Sequence, residues 1–265
     1  MQETKTLREI TPTGSILAQL PPISLPKSDS EFAARQPDFD CSECLDTGFV
    51  YVETEYRGKP IKEPKRCECR ERRIRAAKIA AMPAEYRHCE LKNLTPRTDL
   101  HPRQAEFIRL LKANPSGKFV ISGDFGTGKT HFFWALYREA VERGRKTYAG
   151  TLRALINEYQ KAIELAQAGE RYNLPITADE LKQNHTPYAL FLDDIDKARP
   201  TEYVAEQLFE IIDAAYSFSH QIVVTTNLPV DNLLEHFRRA DKEFGRFGGA
   251  IVRRLLDAAI EIEMF

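Results

Sequence analysis

The octapeptide GDFGTGKT, Gly123 to Thr130, constrains this 265-residue chain more than any other stretch. Its spacing is G-x-x-x-x-G-K-[ST]. A backbone that wraps a phosphate with its N–H groups pointing inward needs glycines, because side chains would hold the chain away. Lys129 is then set to reach the β and γ phosphates of a nucleotide, and the Thr130 hydroxyl to hold Mg²⁺. The stretch follows the apolar run KFVIS and opens the helix-like run THFFWALYREAVERG, so a bound anion meets a helix N-terminus. This context makes Gly123, Asp124, Phe125, Gly126, Thr127, Gly128, Lys129, Thr130 and His131 the candidate nucleotide-binding residues.

Around that loop, strand-like and helix-like runs alternate. KTYAG, YALFLDD and QIVVTTN read as buried strands, with TLRALINEYQKAIELAQAG and TEYVAEQLFEIIDAAYS as helices between them. Alternation of this kind predicts an α/β fold, a parallel sheet between helices. Residues 1–40 are rich in Pro and Ser without sustained periodicity and read as a flexible arm. A cysteine-bearing unit spans 41–82, a linker 83–102, and the α/β domain 103–265. The segment from Ala166 to Tyr188 exceeds what a strand connection needs.

Two further strand ends carry chemistry. YALFLDD closes on Asp193 and Asp194, where carboxylates beside a phosphate loop have two uses. Asp193 is the candidate Mg²⁺ ligand alongside Thr130, and Asp194 the candidate group that orients or deprotonates an attacking water. Asp196 reads as a surface carboxylate. QIVVTTN ends on Asn227, an amide able to hold that water. Near the C-terminus, Arg253 and Arg254 sit in a helix-period stretch where a core helix has no place for two buried guanidinium groups.

The cysteines form a fourth pattern: Cys41-x-x-Cys44, a gap, then Cys67-x-Cys69. Two short knuckles across a hairpin-sized gap can give Zn²⁺ its four soft ligands. No apolar stretch approaches the roughly 20 residues that cross a bilayer, and the N-terminus lacks a signal-peptide core, so the expected place is the cytoplasm. A reducing compartment favours metal over disulfides. Cys89 reads as a core thiol and His88 as an ordinary linker residue. The formal net charge of −1 excludes a generic polycation, so any nucleic-acid contact must be local. One basic patch is visible: ten Lys/Arg against three Glu between Arg57 and Lys78.

Together, SGDFGTGKTHF, LFLDDIDKARPTEYVAEQLFEIIDAAY, TTNLPVDNL and GRFGGAIVRRLLDAA resemble the AAA+ ATPases of the DnaC/DnaI helicase-loader group and the related transposition helper IstB, from about Pro83 onward. The resemblance implies a P-loop AAA+ core without a C-terminal lid, preceded here by a small zinc-binding domain. It implies Mg²⁺-dependent ATP hydrolysis and self-association through the ATP site, with Asn227 as sensor 1. Arg254 would be the arginine inserted into a neighbouring subunit's site, with Arg253 and Arg246 as alternates. It further implies a replicative hexameric helicase as partner, gripped through the zinc domain, and single-stranded DNA on the core. The alternative it leaves open is a helper of a DNA transposase on duplex DNA.

Overall fold

The structure is a computed structural model in which residues 40–183, 187–197, 202–240 and 244–265 are described. The expected N-terminal arm lies outside them except for Asp40, as does the side chain of Arg246. The chain divides into two compact units at Pro64/Lys65.

The first unit holds strand β1 (Phe49–Tyr56) and most of strand β2 (Lys59–Arg66), which pair in a two-stranded sheet. Arg57 and Gly58 both take positive φ, 52° and 75°, the two-residue turn whose twist suits a tight hairpin. Few of its side chains are buried: Tyr51 and Tyr56 stand exposed, and the alternating Lys and Glu of β2 keep that strand in water.

The second unit is the α/β body. Its helices are α1 (Glu68–Ala80), α2 (Gln104–Ala113), α3 (Lys129–Glu142), α4 (Leu152–Gln167), α5 (Ala178–Gln183), α6 (Glu202–Ser217), α7 (Val230–Ala240) and α8 (Phe244–Leu256). Its strands are β3 (Lys118–Gly123), β4 (Lys146–Thr151), β5 (Tyr188–Asp193), β6 (Gln221–Thr226) and β7 (Ala259–Met264). They form one parallel sheet in the order β4-β5-β6-β3-β7. The central strands β3, β5 and β6 are nearly all buried, as continuous apolar runs must be when helices cover both faces. Alternate residues feed two cores. Val120, Leu190 and Val224 pack with Leu155 and Leu208 on one face, whereas Ile121, Phe191 and Val223 pack with Phe107 and Phe133 on the other.

Register sets the site. Ser122 of β3 lies beside Thr226 of β6, and Leu192 of β5 beside Val224, so the carboxyl ends of β3, β5 and β6 come level. Ligands of open α/β sheets bind at that edge. The expected strands and long helices all form, and α7 is added beyond them. The segment 166–188 becomes a packed strap within its described part: Ile176 and Leu181 are buried, and the Tyr159 hydroxyl donates to the Ile176 carbonyl at 3.0 Å. Of the basic run, Lys78 on α1 is turned inward and donates to Thr147 Oγ1 at 3.1 Å. Burial, with Lys146 nearby, lowers its pKa.

Candidate nucleotide-binding site

The loop between β3 and α3 has the backbone that its glycines allow. Gly123, Gly126 and Gly128 take φ of 152°, 80° and 102°. At Gly123 the constraint is steric as well, because a Cβ there would stand 2.3 Å from the Met264 carbonyl oxygen. That carbonyl accepts the Asp124 N–H at 3.0 Å, so the end of β7 fixes the start of the loop. The Thr127 hydroxyl donates to the Asp124 carbonyl at 2.9 Å and closes the turn.

Lys129 is buried at the first turn of α3 and folds back over the loop, donating to the carbonyls of Gly123 and Asp124 at 2.8 and 2.7 Å. Burial lowers its pKa, while Asp194, Asp196 and Asp193 act to raise it. Phe125 at the loop tip is 78% exposed, with the ammonium groups of Lys129 and Lys197 at 5.8 and 5.2 Å from its ring centre. A cleft of about 430 Å³ opens over these groups, with Thr130, His131, Asp194 and Asn227 among its lining residues and Tyr86 and Arg97 on its wall.

The acidic strand end is wired to β6. The Thr225 hydroxyl donates to Asp193 and accepts from the Asp194 N–H at 2.9 Å, across the two strands. Burial raises the Asp193 pKa and the Asp194 charge adds to this, against the Thr225 bond and Lys197. Asp194 has a left-handed backbone, φ 51°, which an Asp tolerates. Its carboxylate accepts from Lys197 Nζ at 2.7 Å and from Asn227 Nδ2 at 3.2 Å. Asp196 is drawn into the same network rather than left on the surface: its carboxylate accepts from the Asn227 N–H at 3.0 Å. Lys197, the Asp194 carboxylate and the Asn227 amide thus line one cleft with the phosphate loop.

Sequence reasoning passed over several partners. Gln104 on α2 is buried, donates to the Thr127 carbonyl at 2.8 Å and accepts from the Arg97 N–H at 2.8 Å, bracing the loop from behind. Its position in a helix-period run gave no signal. Lys197 lies three residues after Asp194, a spacing that could have been read as a pair.

The arginines separate. Arg254 is engaged within its own chain, donating through Nε to Asp213 on α6 and stacking its guanidinium 4.7 Å from the Phe209 ring centre. Arg253 is exposed, and its side chain has no hydrogen-bond partner among the described residues.

The four expected thiolates come together. Cys41, Cys44, Cys67 and Cys69 are buried, none is in a disulfide, and their sulfurs lie within 4.8 Å of one another. The first knuckle is a formed turn: Leu45 N–H reaches the Cys41 carbonyl at 2.9 Å, and the Asp46 carboxylate accepts from the Cys41 N–H at 3.1 Å. In the second, the Cys67 carbonyl accepts from the Arg70 N–H at 3.0 Å as α1 begins. Four buried sulfurs in so small a volume fit a tetrahedral soft-metal site. No helix among the described residues is long and apolar enough to cross a membrane.

Comparison with known proteins places this geometry. Among solved structures, DnaI aligns at a TM-score of 0.52 with 18% identity, over 70% of this chain and 95% of that one. The DnaC helicase loader aligns at 0.47 with 18% identity over 69% of this chain and all of that one. DnaA from Aquifex aeolicus, bound to AMPPCP, aligns at 0.48 with 19% identity over 69% of this chain. This chain spans only 51% of that DnaA. The DnaI match agrees with the P-loop AAA+ architecture built above. No curated protein matches the chain. The profile of the IstB-like ATP binding proteins matches residues 62–264, taking in the phosphate loop, the acidic end of β5 and the Asn227 end of β6. A single profile that runs through every part of the cleft decides the matter, and the chain belongs to the family of IstB-like ATP binding proteins.

Proposed function

We propose that this protein is an AAA+ ATPase that loads the replicative DNA helicase in the cytoplasm. It would hold the helicase through its four-cysteine unit with bound Zn²⁺ and single-stranded DNA through its core, and release on hydrolysis. The observation that carries the enzymatic half is the convergence of Lys129, Asp194 and Asn227 on one cleft. A protein that only bound nucleotide would need the lysine but not an amide aimed at a second carboxylate.

In this reading Lys129 exchanges its two loop carbonyls for phosphate oxygens, and the loop N–H groups and the N-terminus of α3 hold the rest of the anion. Thr130 and Asp193 are the residues that would hold Mg²⁺, whose chemistry is to neutralise charge building on the phosphates. Asp194 orients a water for attack on the γ-phosphate, and Asn227 fixes that carboxylate and the water together. Lys197 and Asp196 keep the pair in place. The transferred charge needs one more cation, which a neighbouring subunit supplies. Arg254 is the expected donor; its pairing with Asp213 within its own chain favours Arg253 for that role.

The loader reading is favoured by the four-cysteine unit, half of which, Cys41 and Cys44, lies ahead of the family profile. The family match itself supports a second reading, a helper of a transposase on duplex DNA. The deciding measurement is the mass of the complex formed with the host's replicative helicase under ATP and under ADP. A stoichiometric assembly that differs between the nucleotides is expected. No assembly under either, with a preference for duplex over single-stranded DNA at a fixed salt concentration, would transfer the assignment to the transposase helper.

A further inference from the structure

Besides the four cysteines, one more group of metal-ligating side chains converges in the larger unit, at the edge of the nucleotide cleft that His131 lines. His88, Cys89 and His131 each present a ligand atom, and all three lie within 4.8 Å of one another. They come from two places. His131 stands on the first turn of α3, directly after Thr130, while His88 and Cys89 follow the short 3₁₀ turn Ala84–Tyr86.

The geometry is built rather than incidental. The segment is pinned on both sides of the two residues: Arg87 Nε donates to the Met82 carbonyl at 2.9 Å, and Arg138 of α3 donates to the Arg87 carbonyl and pairs with Glu90, each at 2.7 Å. The Cys89 N–H is tied to the Tyr86 carbonyl at 2.9 Å. The His88 and His131 rings sit 5.5 Å apart, and the Tyr86 ring closes against His131 at 5.7 Å. Cys89 is almost wholly buried, and the two imidazoles are exposed.

We propose that His88, Cys89 and His131 form a second transition-metal site, of the zinc class, with three protein ligands and a fourth position left for water. Ligand atoms around tetrahedral zinc stand about 3.3–3.7 Å apart, so closing this group takes rotation of two exposed imidazoles and little else. One thiolate and two imidazoles are a donor set that selects zinc-like ions over Mg²⁺ or Ca²⁺. An ion here would join the linker to the first turn of the phosphate-loop helix. The proposal does not depend on the loader reading.

The test uses the full chain carrying one equivalent of zinc, titrated with Co²⁺ as a spectroscopic substitute. The expected result is an additional equivalent of cobalt with a thiolate-to-cobalt charge-transfer band. C89S should abolish that band, and H131A should weaken cobalt binding by no less than the roughly tenfold that loss of an outer-sphere partner costs. Zinc content retained from Cys41, Cys44, Cys67 and Cys69 shows that each variant is folded. Because His88 is exposed, H88A gives the same test where C89S perturbs packing. A chain that takes up no cobalt beyond its zinc overturns the site. So does a charge-transfer band that persists in C89S, which would mark exchange at the four cysteines.

Discussion

At the scale of single residues, the site is held by side chains that brace the phosphate loop and the acidic strand end. Gln104 satisfies the Thr127 carbonyl from within the core, and replacing it with alanine leaves that buried acceptor without a partner. Such a loss costs about 1–3 kcal/mol. Q104A should therefore melt earlier and bind ADP more weakly; an unchanged Tm would show that the loop holds itself. Asp193 makes the opposite prediction. Burial raises its pKa, so the folded chain favours the protonated form. The stability this contributes is full below the unfolded carboxylate pKa and is lost as pH rises through the higher folded value. D193N should thus raise the Tm of the nucleotide-free protein at about pH 8, with the gain shrinking toward about pH 4, while hydrolysis is lost. A gain that is constant across that range would remove titration from the explanation. The glycines, Lys129, Asp193 and Asp194 stood out as candidates because each lies in a motif whose spacing the chain itself displays. Gln104 and Asp196 were not, because their partners lie 23 and 31 residues away and meet only through the fold.

At the scale of elements, the apolar runs and their lengths announced four of the five strands of the main sheet, and the buried pattern of β3, β5 and β6 explains why. What no local pattern announces is strand order. The end of β7 lands beside the phosphate loop although 140 residues separate Gly123 from Met264 in a register that only the sheet defines. That neighbour gives two loop glycines different reasons to be glycine. Gly126 needs only its positive φ, since a Cβ there meets nothing within 4 Å. Gly123 needs both its φ and the space. G126A should cost about 1–2 kcal/mol, the backbone penalty alone. G123A should cost more than G126A, because the Met264 carbonyl must also move away and β7 with it. Urea denaturation of the two variants side by side checks the order, and equal losses would mean that β7 yields freely.

At the scale of the whole molecule, hydrolysis by this cleft would need a cation from another copy, and Arg253 and Arg254 of α8 offer a choice that the sequence alone left open. A guanidinium meant for a neighbour must be available at the surface, whereas one that braces its own helices is already committed. Arg254 joins α8 to α6 through Asp213 and Phe209, a partly exposed pair worth about 0.5–1 kcal/mol with some addition from the ring. Arg253 is exposed beside it. R253A should keep its Tm and its nucleotide affinity and lose turnover, by on the order of 10³-fold if it stabilises the transferred charge as trans-acting arginines do. R254A should lower the Tm modestly and keep most of the turnover. Mixing gives the sharper contrast: K129A, unable to bind nucleotide but with Arg253 intact, should restore turnover to R253A by offering its arginine in trans, whereas R254A requires no such rescue. Turnover lost in R254A at an unchanged Tm, with R253A active, would return the role to Arg254 and make the Asp213 pair a resting contact that assembly breaks.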